Sequence, residues 1–459
     1  MLHKVLIANR GEIALRIIRA CREMGIRTVL AHSEVDRQSL PAMLADETVC
    51  IGPASPGKSY LNIPNLVTAA LIKECDAVHP GTGFLAENPY FAEVCEKAEL
   101  IFVGPSAQTI ALMSDKAQAR QQMARAGLRV LSGSDAPLRS LEEAQSLAAD
   151  IGYPVIVKAV AGGGGRGIRV VQEEAALAQE YGIAQAEALA AFGNGQMYIE
   201  KYLPLCRHVE IQIMADRYGQ VISLGDRECS LQRRHQKLVE EGPSILAEAE
   251  RSALGQAAAR AVASVGYVNA GTLEFLWADG QAYFSEMNTR IQVEHGVTEL
   301  LTGMDLVKEQ LRVAAGEHLS LTQSDVTLRG HAIECRITAE SADEGFLPRF
   351  GTVHTYLPPG GIGVRVDSHL YAGYAVPMYY DSLLAKLMTW GKDRAEAIAR
   401  MTRALDEYRI EGVTTIIPFQ QRIMADPNFI SGAVHTRYLE QMLQADRERA
   451  ALAQAGRTA

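Results

Sequence analysis

The sequence lacks the features of a membrane-spanning, secreted or nucleic-acid-binding protein. No run reaches the roughly 18 apolar residues of a membrane span, and the N-terminal apolar stretch is too short for a secretory signal. The seven cysteines are scattered without a CxxC pair, which is typical of cytosolic thiols rather than a disulfide frame or a zinc site. The net charge of -9 argues against a general nucleic-acid surface. We therefore expect a cytoplasmic protein.

The length and the strand pattern predict several domains. A chain of 459 residues is too long for one ordinary core, so about two to four domains are expected. Alternating strand and helix patterns from Lys4 onward predict a parallel α/β unit at the N-terminus. The segment 79–85 follows one of these strands, where open α/β sheets place ligand loops, although a plain Pro/Gly turn is an equal alternative.

A polar strand face between Glu286 and Glu294 organises the C-terminal half. Side chains alternate between the two faces of a strand, so one face carries Glu286, Asn288, Arg290, Gln292 and Glu294. An Asp-Gly turn after the strand 271–277 predicts a hairpin that sets Glu274 against Glu286, within about one residue of register. Adjacent carboxylates need a cation, and with the Asn288 amide oxygen they suit Mg²⁺ or Mn²⁺. A solvated strand face is the plainer alternative.

Two segments match phosphate-loop patterns, and the residues around each segment indicate whether it can bind phosphate. Residues 52–59 fit GxxxxGK[ST], but Pro53 and Pro56 remove two backbone N–H donors. Pro64 also disfavours helix at Ile63, so we predict that no long helix starts at Gly57. A P-loop NTPase is therefore a distant alternative.

Glycine-rich residues 161–167 fit GxGxxG, but the strand pattern at 168–171 follows where a dinucleotide-binding loop requires a helix. We predict a glycine-rich β-hairpin that covers a triphosphate as a lid, with Lys158 beside it, and a plain surface hairpin is the alternative. A helix over 112–126 contains Lys116. The run 226–237 is dense in cationic and amide groups and predicts an anion site, with a solvated loop as the alternative.

Taken together, these motifs resemble biotin carboxylase, an ATP-grasp enzyme, over nearly the whole chain. The segments that carry the resemblance are Ile7–Ala14, Lys158 with Gly162–Gly167, Glu200–Leu203, Cys229–Lys237 and Glu286–Glu294. The resemblance implies an ATP-grasp fold of mixed α/β and α+β class. Its expected parts are an N-terminal parallel α/β domain (1–112), a linker helix (113–134), a small glycine-loop lid domain (135–203), a C-terminal mixed-sheet domain (204–446) and a tail (447–459).

The resemblance also implies a role for each matching residue. The expected ATP-binding residues are Lys116, Lys158, Gly163, Gly164, Gly165, Glu200, Lys201, Leu203, His208, Gln232, His235 and Leu276. Mg²⁺ or Mn²⁺ is expected on Glu274, Glu286 and Asn288. Bicarbonate is expected on Lys237, Arg290, Gln292 and the Val293 backbone. Glu294 is expected as general base, Arg336 as the group that stabilises the biotin enolate, and Thr82 near the biotin end.

The reaction implied is ATP- and bicarbonate-dependent carboxylation of biotin through carboxyphosphate. It is the first half-reaction of an acyl-CoA carboxylase, with acetyl-CoA as the expected acceptor and fatty acid biosynthesis as the expected context. The sequence contains no Met-Lys-Met biotin-acceptor segment. We therefore expect a separate biotin carboxyl carrier protein and carboxyltransferase subunits as partners, together with a second copy of this chain.

The sequence departs from the family pattern at three places. The family usually has tyrosine at Thr82 and proline at Gly296, and the Arg349-Phe350 pair is also unlike the pattern. Loss of the aromatic ring at Thr82 would weaken biotin binding or change the carrier accepted. An ATP-grasp carboxylase with a different acceptor and a non-catalytic ATP-binding paralogue are therefore the alternatives.

Overall fold

The N-terminal part of the computed structural model is a parallel α/β layer. The model describes the backbone of residues 2–160 and 167–458 and the side chains of 2–160 and 167–449. The first five strands form one parallel sheet in the order β3-β2-β1-β4-β5, which confirms the predicted unit. The elements are β1 Lys4–Ile7, α1 Gly11–Glu23, β2 Arg27–Ser33, α2 Leu40–Leu44, β3 Glu47–Gly52, α3 Ile63–Ile72, β4 Ala77–His79, α4 Pro89–Lys97, β5 Ile101–Phe102 and α5 Ala107–Ser114.

Strand β1 shows why both faces of this sheet are covered. Val5 and Ile7 belong to one buried cluster and Leu6 to another, as the two-residue period of a strand requires. The first cluster also contains Met214 and Ile291 from the C-terminal half. The N-terminal sheet therefore packs directly beneath the predicted polar segment.

The structure corrects two helix boundaries. The predicted helix over 112–126 is two helices, because Asp115 ends α5 and caps α6 (Lys116–Arg125) by accepting hydrogen bonds from the Ala117 and Gln118 backbone N–H groups at 3.0 Å. As predicted, no long helix starts at Gly57, and Pro56–Lys58 is a short 3₁₀ turn. The expectation that Pro64 excludes Ile63 from a helix is wrong. Helix α3 begins at Ile63, with Pro64 in its first turn, where a missing N–H group costs little.

A small three-stranded antiparallel sheet with two helices follows. Its elements are α7 Leu141–Ile151, β6 Val155–Ala159, β7 Ile168–Val171, α8 Glu174–Phe192 and β8 Met197–Lys201, with strand order β7-β6-β8. Strands β6 and β7 pair antiparallel, which confirms the predicted hairpin. The loop predicted as a lid, with Gly163, Gly164 and Gly165, lies outside the described residues.

The rest of the chain is built on one eight-stranded antiparallel sheet, in the order β13-β12-β9-β10-β11-β14-β19-β18, and on two small two-stranded sheets, β15-β16 and β17-β20. The elements are β9 Arg207–Ala215, β10 Val221–Arg233, β11 Gln236–Gly242, α9 Glu248–Ala263, β12 Asn269–Ala278, β13 Gln281–Asn288, α10 His295–Thr302, α11 Leu306–Ala314, β14 His331–Thr338, β15 Glu340–Ser341, β16 Leu347–Pro348, β17 Thr355–Leu357, β18 Val364–Ser368, β19 Leu383–Gly391, α12 Arg394–Glu407, β20 Arg409–Glu411, α13 Ile417–Met424, α14 Pro427–Ser431 and α15 Tyr438–Thr458.

The polar segments differ from their predicted shape in two places. Strand β13 ends at Asn288, so residues 289–294 form a loop rather than a continuous strand. The run 226–237 belongs to a hairpin of β10 and β11, which turns at Arg234 and His235 with positive φ angles of 49° and 63°.

Helix α15 continues through the predicted tail from 447. Within the described ranges, no helix has the length and apolar character needed to cross a membrane.

Candidate active site

The hairpin of β12 and β13 has the predicted register. Glu274 pairs directly with Glu286, and Asn288 pairs with Thr272 one step away on the same face. Glu274 and Asn288 are buried, while the Glu286 side chain is 40% exposed and lies 3.1 Å from the Lys116 ammonium. The Asp279-Gly280 turn begins the hairpin, with both residues at the positive φ that the turn requires. A one-residue β-bulge between Phe275 and Glu274 then shifts the pairing, so that Glu274 lies opposite Glu286.

An ammonium group supplies the cation that the paired carboxylates need. Lys237 Nζ, from β11, donates to Glu274 Oε1 at 2.9 Å, to Glu294 Oε1 at 2.8 Å and to Glu210. Glu274 Oε1 also accepts hydrogen bonds from the Asn288 and Gln292 amides at 2.8 and 3.1 Å. Three donors converge on one carboxylate oxygen, and they stabilise the negatively charged form of Glu274 that a cation would bind.

His208 lies in the same cluster. Its Nε2 is 3.3 Å from a carboxylate oxygen of Glu210 and 3.3 Å from one of Glu274. Burial favours the neutral ring, but the neighbouring carboxylates of Glu274 and Glu210 raise the pKa of His208 to about 9. His208 is therefore a cation here, next to the carboxylates that are predicted to hold the metal.

The predicted metal ligands fit a hard divalent cation. Two carboxylates and an amide oxygen lie on paired strands, and the carboxylates are balanced by Lys237 and Lys116. Oxygen ligands of this kind suit Mg²⁺ or Mn²⁺, with the remaining positions taken by water or phosphate. Glu210, which sequence reasoning missed, lies within ligand distance of Glu274 and His208. Its position on the alternating strand 208–214, two residues after His208, was the available signal.

The loop after β13 brings Arg290 to the ligand face. Arg290 donates to the side-chain amide oxygens of Asn288 (Oδ1) at 3.0 Å and of Gln292 (Oε1) at 3.2 Å. Its Nε donates to Glu87 at 3.0 Å, and Glu87 also accepts from the Thr289 backbone N–H. Glu87 lies in the N-terminal layer, just beyond the predicted ligand loop 79–85. It anchors the guanidinium across the two halves of the chain.

Glu294 is fully buried between two cations. It accepts from Lys237 at 2.8 Å and from Arg336 at 3.0 Å, and Arg336 also donates to Glu240 at 2.6 Å. Burial raises the pKa of Glu294, but the cations Lys237, Arg336 and Arg227 together outweigh this effect and hold that pKa below its ordinary value. Burial raises the pKa of Glu240 to about 7. A carboxylate that is ionised and fixed in this way can act as a base.

The residues predicted to bind nucleotide lie around the small sheet and β9–β12. Lys158 donates to Glu200 at 2.7 Å, and Arg120 donates to the other oxygen of Glu200 at 2.7 Å. Lys116, Arg120 and Tyr198 line one cavity. The Lys201 ammonium points away from the site and donates to the backbone carbonyls of residues 152 and 153.

The other predicted nucleotide residues occupy three places. Gln232 donates to the Cys229 carbonyl at 2.8 Å, and His235 is exposed at the β10–β11 turn. Leu276 pairs with His208 on neighbouring strands, and Leu203 follows β8.

The two residues predicted for biotin are not in one cluster. Arg336 contacts Glu240 and Glu294. Thr82 lines a separate cavity, whose wall comprises Asn9, Arg10, Gly11, Glu12, Ile13, Thr82, Gly83, Phe84, Asp381 and Leu383. The backbone of this loop is fixed, because Asn9 donates to the Pro80 and Thr82 carbonyls at 2.7 Å.

Comparison with known proteins agrees with this architecture along the whole chain. Residues 1–110 match the family described as "Biotin carboxylase, N-terminal domain", 115–322 match "Carbamoyl-phosphate synthase L chain, ATP binding domain", and 334–441 match "Biotin carboxylase C-terminal domain". The biotin carboxylase of Nostoc sp. is 55% identical over 441 residues, which is 96% of this chain and 99% of that protein.

Solved structures show the same fold. The Campylobacter jejuni biotin carboxylase, in a complex with a form of ATP, is 49% identical with a TM-score of 0.94, covering 96% of this chain and 99% of that chain. The biotin carboxylase domain dimer of Hydrogenobacter thermophilus 2-oxoglutarate carboxylase, with MgADP, ADP and bicarbonate, is 48% identical with a TM-score of 0.93, covering 96% and 98%.

The fold and these matches define an ATP-dependent carboxylase of the ATP-grasp class, which confirms the predicted fold class. The chain belongs to the biotin carboxylase family, whose enzymes use ATP to carboxylate biotin.

Proposed function

We propose that this chain uses MgATP and bicarbonate to carboxylate biotin carried on a separate protein, through a carboxyphosphate intermediate. The observation that carries the proposal is the contact of Lys237 and Arg336 with Glu294, next to the Glu274 and Asn288 oxygens. This arrangement joins a hard-cation site to a cationic anion site and a buried base.

Each group has a role that its position supports. When bound on Glu274, Glu286 and Asn288, the divalent cation neutralises phosphate charge. Lys158 and Lys116 add positive charge from the lid side. Lys237 and Arg290 hold bicarbonate in line with the γ-phosphate, and Gln292 and the Val293 backbone complete that pocket.

Glu294 then takes the bicarbonate proton as a bicarbonate oxygen attacks the γ-phosphorus and ADP leaves. The carboxyphosphate formed breaks down to CO₂ and phosphate beside the ureido nitrogen of biotin, where the phosphate takes the ureido proton and the nitrogen bonds CO₂. Arg336, held by Glu240 and Glu294, stabilises negative charge on the ureido oxygen as that nitrogen loses its proton. A closed lid keeps water from hydrolysing the intermediate.

The partners are part of the proposal. We propose that a biotin carboxyl carrier protein and carboxyltransferase subunits complete an acyl-CoA carboxylase, with acetyl-CoA as acceptor and fatty acid biosynthesis as context. The dimer described for the Hydrogenobacter domain supports a homodimer. All seven cysteines are free thiols, which supports a cytoplasmic location.

A second candidate keeps the same ATP chemistry but transfers the carboxyl group to another acceptor or carrier. The observation that favours it is Thr82, which provides no aromatic ring at the cavity beside Arg10. A non-catalytic paralogue is disfavoured because Lys237, Arg290, Glu294 and Arg336 are all present. Glu294 contacts both Lys237 and Arg336, and Gln292 links Arg290 to Glu274, which Lys237 also contacts.

The direct test is transfer of radiolabelled bicarbonate carbon to biotin. Purified protein is incubated with ATP and Mg²⁺, and with either free biotin or a biotinylated carrier domain. We expect ATP-dependent carboxybiotin with at least the carrier domain. Label on neither acceptor, despite bicarbonate-dependent ATP turnover, would favour the second candidate.

A further inference from the structure

Lys386 is a fully buried lysine on β19, outside the residues assigned above. Lysine is rarely buried without partners, because removal of an ammonium group from water is costly. Its Nζ donates to the Val293 carbonyl oxygen at 2.7 Å and lies 3.1 Å from Glu12 and 3.9 Å from Asp367. These contacts connect β19 to the active-site loop, to the start of α1 and to β18.

The contacts differ in kind. The Glu12 carboxylate is an ion-pair neighbour without hydrogen-bond geometry, and Asp367 is mainly neutralised by Arg365 at 2.6 Å. Only the Val293 carbonyl, among the described residues, receives a well-formed hydrogen bond from Lys386. Lys386 therefore binds the active-site loop directly and is not only a counter-ion of the buried acids.

The loop needs such support because strand pairing ends at Asn288. Residues 289–294 are held at one end by Glu87, at the Thr289 N–H, and at the other end by the first turn of α10. The Glu294 carboxylate is fixed by Lys237 and Arg336. The peptide between Val293 and Glu294 is fixed by Lys386.

We infer that Lys386 is a positioning residue, which holds the Val293 carbonyl and thereby orients the peptide that carries Glu294 for bicarbonate activation. This inference rests on the proposed function. Lys386 is not itself among the groups assigned to bicarbonate, but it bonds the carbonyl of Val293, whose backbone completes that pocket. Its effect is on the geometry of the bicarbonate pocket, which is formed by the backbone of residue 293 and the side chains on either side of it.

The test uses Lys386→Met and Lys386→Arg in the full-length protein, with Lys4→Met as matched control. Lys4 also contacts one backbone carbonyl, of Lys73 at 2.9 Å, and one glutamate, Glu47 at 3.1 Å, but it lies at the far end of β1. We expect Lys386→Met to lower kcat/KM for bicarbonate by about 10- to 100-fold, with the KM for ATP unchanged. Lys386→Arg should recover part of the loss, and Lys4→Met should lose none.

A second variant separates positioning from simple charge compensation. Glu12→Gln/Lys386→Met removes both buried charges, so it should melt closer to wild type than Lys386→Met while it keeps the bicarbonate defect. Recovery of both melting temperature and kcat/KM in the double variant would overturn the inference. So would an unchanged kcat/KM in Lys386→Met.

Hydrogen exchange makes the test independent of turnover. In Lys386→Met, or in the double variant if the single variant does not fold, amides 289–296 should exchange about 10-fold faster than in wild type. Lys4→Met should leave them unchanged. Unchanged exchange of this loop would overturn the inference, whereas absence of bicarbonate-dependent turnover in wild type would contradict the proposed function alone.

Discussion

Replacement of Lys237 by methionine should destabilise the protein more than any surface lysine change. The ammonium lies between Glu210, Glu274 and Glu294, all of which are buried. Each carboxylate keeps one cationic partner in the variant. Arg227 lies 2.9 Å from Glu210, His208 lies 3.3 Å from Glu274, and Arg336 lies 3.0 Å from Glu294. The loss therefore amounts to one broken buried ion pair, which costs about 3–5 kcal/mol.

The assay is thermal melting of wild type, Lys237→Met and Lys97→Met at about pH 6.5, the middle of the range where proteins are most stable. Lys97 pairs with Glu93 on the surface and is 74% exposed, so its loss should be nearly silent. Glu210→Gln/Lys237→Met should regain part of the melting temperature, because it removes one of the buried carboxylates that lost the Lys237 ion pair. Equal melting of Lys237→Met and Lys97→Met would refute the reasoning.

Three further predictions concern stability and the nucleotide site. Burial raises the pKa of Glu228 to about 7, whereas an unfolded glutamate titrates at about 4.3. Between these two pH values the folded state keeps a proton that the unfolded state has lost, so the free energy of unfolding falls as pH rises. Between pH 5 and pH 8, the free energy of unfolding of Glu228→Gln should therefore rise by up to about 3 kcal/mol relative to that of wild type. Melting temperatures of both proteins across this pH range test the prediction, and parallel pH profiles would contradict it. Lys58→Ala should leave ATP turnover unchanged because Lys58 is exposed on a 3₁₀ turn, whereas Lys158→Ala should reduce it, and the opposite pattern would revive the P-loop alternative. Gly296→Pro should destabilise by about 1–3 kcal/mol, because an added Cβ collides with the buried Met388 sulfur, and melting of the variant combined with Met388→Val should show relief.

The hairpin and its carboxylates could be predicted because their determinants are local. An Asp-Gly turn limits the register to about one residue, and a β-bulge at Ser285 then sets Glu274 opposite Glu286. The end of β13 at Asn288 could not be read in this way, because alternation continues through Glu294 in the sequence. Tertiary contacts, namely Glu87 on Arg290 and burial of Ile291 in the N-terminal core, pull the chain away from the sheet.

The residues that sequence reasoning missed come from distant elements. Glu87, Glu240 and Lys386 reach the site from three different parts of the fold, and nothing local to any of them indicates that they meet. Glu210 was the exception, since it shares the face of a buried strand with His208. Lid closure over nucleotide could be predicted only as a hypothesis, and its glycines lie outside the described residues.

The measurement that tests the central claim most directly is ATP hydrolysis with Mg²⁺ and bicarbonate, with and without free biotin, in wild type and Glu294→Ala. The account predicts bicarbonate-dependent turnover that biotin stimulates, and a loss of about 10²- to 10⁴-fold in the variant. Turnover that is indifferent to biotin would point to another acceptor and to Thr82. Equal turnover of Glu294→Ala and wild type would contradict the role of Glu294 and with it the proposed mechanism.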